Sequence, residues 1–327
     1  MPTQGGVPLA RLTSMPLVSV IMPAWNVAEF IPAALASVFA QSFTDLELVI
    51  VNDGSPDTKA LEAAIAPFRN RTDTHYLVQE NQGPSGARNA GILHAGGRYV
   101  AFLDADDEWE PTYLEQQLAR FSHDESLDVV YCNSRLTGDS VLAGRTYMDT
   151  TPSTGPVTLE ALITLTCNVP TTCAVARREA VVSAGLFDPH IRRCEDFDLW
   201  LRMSARGSRF AYHREVLAIR RLHPASAAAD GVRMFESQLV VYRKLQGLLG
   251  ASHQASPLVA QQIRRAEADL ALERSKQLLM AGEYPEAAKA LAAARRFYKS
   301  RKLALASIGL RAAPSLVRRM YAGRAIR

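Results

Sequence analysis

The sequence predicts an α/β fold with a mostly parallel sheet, followed by an all-α C-terminal extension. Three observations carry this. Short β-branched apolar runs alternate with helical patterns in the first part of the chain. Three of those runs end abruptly in polar residues, at Pro23-Ala24-Trp25-Asn26, Asn52-Asp53-Gly54-Ser55 and Asp104-Ala105-Asp106-Asp107. From about Asp230 strand signals vanish, and Ala, Leu and Arg dominate to the end.

In order along the chain, Leu17 to Met22 is a strand stopped by Pro23, and a helix follows from about Val27 to Ala40. Leu46 to Val51 is the second strand, closed by the turn residues Asn52-Asp53-Gly54-Ser55. A helix over Thr58 to Phe68 leads to a short strand at His75 to Val78. Gly83-Pro84-Ser85-Gly86 opens a helix through His94, and Tyr99 to Leu103 is a buried strand running into the aspartates. A further strand is expected at Asp128 to Cys132, and an amphipathic helix begins at Glu195-Asp196. Beyond Asp230, Leu270 to Met280 and Glu286 to Tyr298 flank a break at Ala281 to Pro285, which reads as a helical hairpin resembling one tetratricopeptide-type unit.

Composition bounds the function. At 327 residues the chain holds one large domain and a smaller one, and 48% hydrophobic with 21% charged residues is ordinary for a globular protein. No run of eighteen apolar residues suggests a membrane span, and residues 1–15 read as a loose tail without a signal-peptide core. Cys132, Cys167, Cys173 and Cys194 form no C-x-x-C pair, which fits buried thiols in a reduced cytoplasm rather than zinc or disulfides. The net charge of +4 is uneven. Residues 1–230 carry 19 Lys+Arg against 27 Asp+Glu (−8), and residues 231–327 carry 18 against 6 (+12). From Leu291 to Arg327 there are ten basic residues and no acidic one. That bias predicts peripheral contact with an anionic inner membrane face or with a polyprenyl-diphosphate-linked acceptor. No base-reading motif accompanies it, so nucleic-acid binding is not expected.

The chemistry concentrates at strand ends, where open α/β sheets gather ligands. Three aspartates in four positions repel one another unless a cation sits among them. Hard oxygen donors suit Mg²⁺ or Mn²⁺ bridging to phosphate oxygens, and alternation puts Asp104 and Asp106 on one side. The competing reading is a solvated turn, with Asp107 or Glu108 serving the dipole of the helix that follows Pro111. Asp53 before Gly54 can accept from an imide N–H such as that of uracil, although Asn-Asp-Gly-Ser alone is a common turn. The segment Asn81 to Gly91 offers a glycine-rich helix entry with Gly86 and Arg88, suited to phosphate or ribose, and is neither a P-loop nor a G-x-G-x-x-G fingerprint. Glu195 and Asp196 are either helix caps or a general base. Trp109 and Trp200 fit packing better than sugar platforms. His223 is either structural or within reach of the metal or diphosphate.

Taken together, Val18 to Asn26, Val51 to Ser55, Asn81 to Gly91, Phe102 to Asp107 and Glu195 to Trp200 resemble the family-2 glycosyltransferases of GT-A fold, over about Pro16 to Ser226. The resemblance implies a Rossmann-like domain over residues 16–229 and leaves residues 230–327, the basic helical region, outside the family pattern. It implies an inverting transfer of sugar from a nucleoside-diphosphate donor, a UDP-sugar first, to a hydroxyl of a glycan or polyprenyl-linked glycan, aided by Mn²⁺ or Mg²⁺. Pro23, Ala24, Asn26, Asp53, Gly86, Arg88, Asn89, Asp104 and Ala105 would bind the nucleotide. Asp104, Asp106 and His223 would hold the metal, Asp196 would be the base, and Asp107, Glu195 and Trp200 would face the donor and acceptor. Trp25 stands where the family commonly has tyrosine.

Two other readings compete for the same residues. A nucleotidyltransferase would want a basic glycine-rich loop after the first strand, and Pro23-Ala24-Trp25-Asn26 is neither basic nor glycine-rich. A non-catalytic scaffold acting through its helical tail would have no need of both the Asp104/Asp106 pair and Asp196.

Overall fold

The computed structural model describes residues 15–69, 71, 73–223 and 231–325, with side chains placed as far as residue 322. The expected N-terminal tail (apart from Met15), Pro224 and the 229/230 domain boundary lie outside the described residues.

The chain runs β1 (Val18–Ala24), α1 (Ile31–Phe39), β2 (Leu46–Asp53), α2 (Thr58–Arg69), β3 (Thr74–Gln79), α3 (Gly83–His94) and β4 (Tyr99–Phe102). Then come β5 (Glu108–Trp109), α4 (Tyr113–His123), β6 (Val129–Gly138), α5 (Tyr147–Thr150), α6 (Leu159–Ile163), a 3₁₀ turn at Thr171–Cys173, β7 (Ala174–Arg177) and α7 (Arg178–Ser183). Finally α8 (Glu195–Ala205) and β8 (Phe210–Leu222) precede α9 (Gly231–Leu249), α10 (Ser256–Ala281), α11 (Tyr284–Phe297), α12 (Arg301–Ala312) and α13 (Pro314–Ala325).

One eight-stranded sheet has the order β3-β2-β1-β4-β7-β6-β8-β5. Its first half is parallel, with β1 between β2 and β4 in registers Val18↔Leu46 and Val18↔Tyr99. The C-terminal ends of β1, β2 and β4 therefore lie side by side. The second half is mixed, because β7 runs antiparallel to both β4 and β6 while β6 and β8 run parallel. Period-two alternation splits the strand residues between two layers. Ile21, Val49, Val51, Val100 and Phe102 face one core with α3, α8, α9 and α10, and Val20, Met22, Leu48, Ile50 and Ala101 face the other with α1, α2 and α4. Gly91 is what lets α3 lie so close: a Cβ there would sit 2.6 Å from Ile21 Cγ2.

The strands β5, β7 and β8 have no counterpart in the sequence reading. Thirteen-residue β8 contains His213, Arg214, Glu215, Arg220 and Arg221, and its pairing with β6 holds it extended rather than any apolar pattern of its own. It matters for the site. Pairing of Glu108 with Ile219 brings the last residues of β8 alongside the acidic loop after β4.

The helical region is packed more deeply than its composition suggests. Leu239, Tyr242 and Leu245 of α9 and Val259 and Ile263 of α10 share one core with Leu162, Phe187 and Trp200. The expected hairpin is present as α10 and α11, with Gly282 in the left-handed conformation at φ 86° closing α10. Helix α10 begins at Ser256, fourteen residues before the helix read from sequence. The far end of α10 with α11, α12 and α13 forms a small core of its own around Leu279, Leu291 and Leu310.

Candidate active site

The site is built at the ends of β1, β2 and β4. Asn26, at φ 54°, donates its N–H to Ser55 Oγ at 2.7 Å, and Ala28 N–H reaches Asp57 Oδ2 at 2.9 Å. These bonds stitch the loop after β1 to the loop after β2, placing half-buried Pro23 and buried Ala24 beside Asp53. Asp53 is 2% exposed and accepts from Gln79 Nε2 (2.7 Å), Gln82 N–H (2.9 Å) and Gly83 N–H (2.8 Å). Its carboxylate fixes the entry of α3. With three of about four lone-pair sites filled, it retains room for one more donor.

Helix α3 carries Gly86 and Arg88 toward the acidic loop. At Gly86 a Cβ would lie 2.4 Å from Gln82 Cβ, so the first turn closes only around glycine. Arg88 is 4% exposed; its Nη2 donates to Asp104 Oδ1 at 2.6 Å and its Nη1 to Glu195 Oε1 at 2.7 Å. Burial opposes the charge, but Asp104 and Glu195 outweigh it and hold the guanidinium above its ordinary value. Asn89 turns elsewhere. Its amide makes a two-way bond with the Phe187 backbone, Nδ2 to O at 2.8 Å and Oδ1 from N–H at 2.9 Å. It anchors α3 to the segment before α8.

In the loop after β4, Asp104 N–H donates to Thr172 Oγ1 at 3.1 Å, and Asp106 Oδ2 meets His223 Nε2 at 3.0 Å. His223 also stacks on Phe30 at 5.9 Å. Burial and the Asp104 charge push the Asp106 carboxyl up, while His223 pulls it down. Asp107, 5% exposed, turns inward and accepts Arg221 N–H at 2.8 Å; burial pushes it well above the carboxylate range, with Asp106 adding to the rise and Arg220 opposing. Asp107 therefore ties the loop to β8 instead of facing donor or acceptor. Ala105, 3% exposed, packs in the core beneath.

Helix α8 supplies the other wall. Cys194, at φ 58°, begins it, and Glu195 and Asp196 follow at its positive end. Burial pushes Glu195 up and Arg88 pulls it back. Asp196 Oδ2 accepts Thr171 Oγ1 at 2.8 Å and Oδ1 accepts Phe197 N–H at 2.7 Å. Two bridges therefore join the acidic loop to the α8 carboxylates, one through Arg88 and one through the adjacent Thr171 and Thr172. Trp200 is 1% exposed, edge-on to Phe102 and Phe210. It is a core residue, and its expected place on the donor or acceptor side is corrected. Trp109 is buried as well, stacked on Tyr113.

Sequence reasoning assigned no role to Thr171, Thr172, Tyr147 or Arg220. Arg220 lies over the Tyr147 ring at 5.0 Å. Burial pushes the Tyr147 phenol up, with Arg220 lowering and Asp196 raising it, so all three groups share one neighbourhood. Only the run Arg220 to His223 carried a readable signal.

A divalent cation fits this donor set in one form. Among the described residues no three His, Cys, Asp or Glu side chains converge into a cage. Asp104 and Asp106 are instead an open pair in each other's field, matching a cation completed by phosphate oxygens and water.

The family model "Glycosyl transferase family 2" matches residues 19–183, which run from Ser19 of β1 through α7 and hold the ends of β1, β2 and β4. The chain belongs to glycosyl transferase family 2. The transferase is 32% identical over 237 residues to TuaG of Bacillus subtilis (strain 168), a glycosyltransferase assigned by name to teichuronic acid biosynthesis, covering 71% of this chain and 90% of TuaG. It is 29% identical over 222 residues to the Escherichia coli UDP-Glc:alpha-D-GlcNAc-diphosphoundecaprenol beta-1,3-glucosyltransferase WfaP, covering 66% of this chain and 81% of WfaP. Its fold matches the crystal structure of Staphylococcus aureus TarS 1–349 in complex with UDP-GlcNAc, with TM-score 0.63 and 18% identity over 92% of this chain and 89% of that one. The GT-A architecture expected from the sequence is thus the architecture found.

Proposed function

We propose that the transferase moves a sugar from a nucleoside-diphosphate donor, a UDP-sugar first, to a hydroxyl of a glycan or lipid-linked glycan, with inversion and with Asp196 as general base. The observation supporting this reading is the double bridge: Arg88 and the Thr171–Thr172 pair tie Asp104 to Glu195 and Asp196. In this reading the nucleobase lies by Pro23, Ala24, Asn26 and Asp53, the diphosphate by Asp104 and Asp106, and the acceptor hydroxyl by Asp196. Asp196 takes the hydroxyl proton as the oxygen attacks the anomeric carbon on the face opposite the diphosphate. Thr171 and the Phe197 N–H orient the carboxylate. Arg88, paired with Asp104 and Glu195, keeps those two acids in place.

Asp104 and Asp106, the latter hydrogen-bonded to His223, would hold Mn²⁺ or Mg²⁺, which when bound neutralises charge on the leaving diphosphate. The test is calorimetry with UDP-sugars in the presence and absence of Mn²⁺, followed by UDP release with candidate acceptors. Metal-dependent donor binding with turnover is expected. Binding without turnover on any acceptor would instead favour a scaffold, and binding of GDP-sugars alone would overturn the choice of UDP.

We also propose peripheral contact of the C-terminal helices with an anionic membrane surface. No helix among the described residues is long and apolar enough to cross a membrane. In support, Leu305 and Ile308 on α12 are 69% and 63% exposed, and Leu316 and Met320 on α13 are 56% and 57% exposed, on helices whose charged residues are all basic.

A further inference from the structure

The cations around the acidic loop differ in what they hold. Arg88 pairs with Asp104 and Glu195 at 2.6 and 2.7 Å, Arg221 with Glu108 at 3.4 Å, and His223 with Asp106 at 3.0 Å. Half-buried Arg220 is the exception: among the described residues its guanidinium makes no hydrogen bond and no ion pair. What holds it is the face of the Tyr147 ring, 5.0 Å away. A guanidinium over a ring keeps its N–H donors at its edges, in the plane of the group. Those edges are open, because Arg88 Nε and Arg221 Nε are sealed in without a partner and no Arg220 nitrogen is.

The backbone sets where Arg220 stands. Arg221 N–H donates to Asp107 Oδ1 at 2.8 Å, so the peptide joining Arg220 to Arg221 lies against the acidic loop. Pairing of Arg220 with Leu136 of β6 keeps this stretch extended, and alternation sends its successive side chains to opposite faces. Arg221 and His223 turn toward Phe30 at the start of α1, the guanidinium over that ring at 5.4 Å and the imidazole stacked on it at 5.9 Å. Arg220 turns to the other face, that of Tyr147, whose neighbour Met148 packs in the core shared by Leu199 and Trp200 of α8. His223 and Arg220 thus reach the acidic loop from opposite faces of β8. Burial opposes the Arg220 charge, but Asp107, Tyr147, Cys173 and Asp104 together outweigh it and hold the guanidinium above its ordinary value.

Packing alone does not account for this residue, since an apolar side chain would cover Tyr147 without the cost of half-burying an unpaired charge. A guanidinium fork with open edges is the donor best matched to phosphate oxygens. We propose that Arg220 is a further catalytic residue, donating its open guanidinium edge to the phosphoryl oxygens of the leaving diphosphate. The inference rests on the donor diphosphate lying at Asp104 and Asp106. In the transfer, the bond from the anomeric carbon to the β-phosphate oxygen breaks with its electron pair on that oxygen. The acceptor oxygen bonds the carbon, and the acceptor proton goes to Asp196. One more negative charge then rests on the diphosphate, and Arg220 meets it without giving up a proton.

The experiment measures binding of UDP and GDP, each beside its monophosphate, to the full chain by calorimetry, with and without Mn²⁺. The variants are Arg220→Met, which still covers the Tyr147 ring but carries no charge, and Arg220→Lys. Arg220→Met is expected to bind the preferred diphosphate about tenfold or more weaker, as loss of a charged donor implies, with monophosphate affinity changed by less than about twofold. Arg220→Lys recovers part of the loss, because a point charge remains without the fork. Transfer by Arg220→Met falls about 100-fold in kcat, the usual worth of one donor to a developing oxyanion. Equal diphosphate affinity in wild type and Arg220→Met overturns the proposal. So does an equal fall for diphosphate and monophosphate, whereas retained monophosphate affinity shows that the variant is folded. A raised acceptor KM with donor binding intact assigns Arg220 to the acceptor and overturns it too. A wild type that binds no nucleoside diphosphate overturns the donor reading and this inference with it, an outcome distinct from wild-type binding that the variant shares.

Discussion

Thr171 donates its hydroxyl to Asp196 at 2.8 Å, so the carboxylate proposed as base is aimed by a residue of the turn that precedes β7. Asp196→Asn keeps the size and the bond from Thr171 but cannot take a proton. Donor affinity by calorimetry is expected to stay nearly unchanged while transfer falls at least about 100-fold, the usual worth of a positioned base. Thr171→Val should lower kcat by about tenfold through misorientation, with the donor KM unaltered. Wild-type turnover in Asp196→Asn would remove it from the mechanism.

Arg88 is the second tie, and it is the more costly to break. Arg88→Ala leaves Glu195 buried beside Asp196 and Asp104 beside Asp106 with no cation between them. Removing one partner of a buried ion pair costs about 3–5 kcal/mol; Asp104 is 35% exposed, which favours the lower end. Urea denaturation should show that loss without added metal. A change under about 1 kcal/mol would mean that solvent already screens the triad.

Lys244 links the helical region to the catalytic domain through Asp188 and buried Asp198. Burial raises Asp188, but Lys244 and the His190 N–H outweigh it and bring its carboxyl down to about 2. The unfolded value is about 3.9, so this pair's stabilisation is present above pH about 4 and is lost as pH falls toward 2. Lys244→Ala should therefore cost about 1–3 kcal/mol at neutral pH, shrinking as pH falls through that window. Denaturation midpoints of the two proteins between pH 7 and pH 3 check it, and a constant difference would assign the loss to packing alone.

Strands β1, β2 and β4 of the parallel half were legible because they are buried on both faces and read as largely apolar runs, as in Leu48 to Val51. The same runs disclosed the site, since their ends hold Asp53 and Asp104. Strand β8 was not legible: its many charged residues are held extended by β6, a partner some eighty residues earlier. Thr171 and Thr172 were invisible for a related reason, as two hydroxyls in a turn gain meaning only when folding sets them between Asp104 and Asp196. Trp200 sat inside a recognisable motif yet serves packing, because a motif records spacing and not the direction of a side chain. The composition break near Asp230 was visible, but not that α9 and α10 complete the central core.

That last point decides how membrane contact must be tested. Cutting the chain near residue 230 would strip Leu239, Tyr242 and Val259 from a shared core and leave sticky surface, so vesicle binding by such a fragment would report unfolding. Point changes on α12 avoid this, because Leu305, Ile308, Arg301 and Lys302 are all exposed. Each cation near an anionic surface contributes about 1 kcal/mol, so Arg301→Gln/Lys302→Gln should weaken sedimentation with phosphatidylserine-containing vesicles about 30-fold. Leu305→Gln/Ile308→Gln should weaken it further at high salt, where screening leaves the apolar term dominant. UDP binding should be unchanged in both variants. Equal sedimentation of wild type and variants, or equal binding to neutral phosphatidylcholine vesicles, would sink the membrane role of these helices.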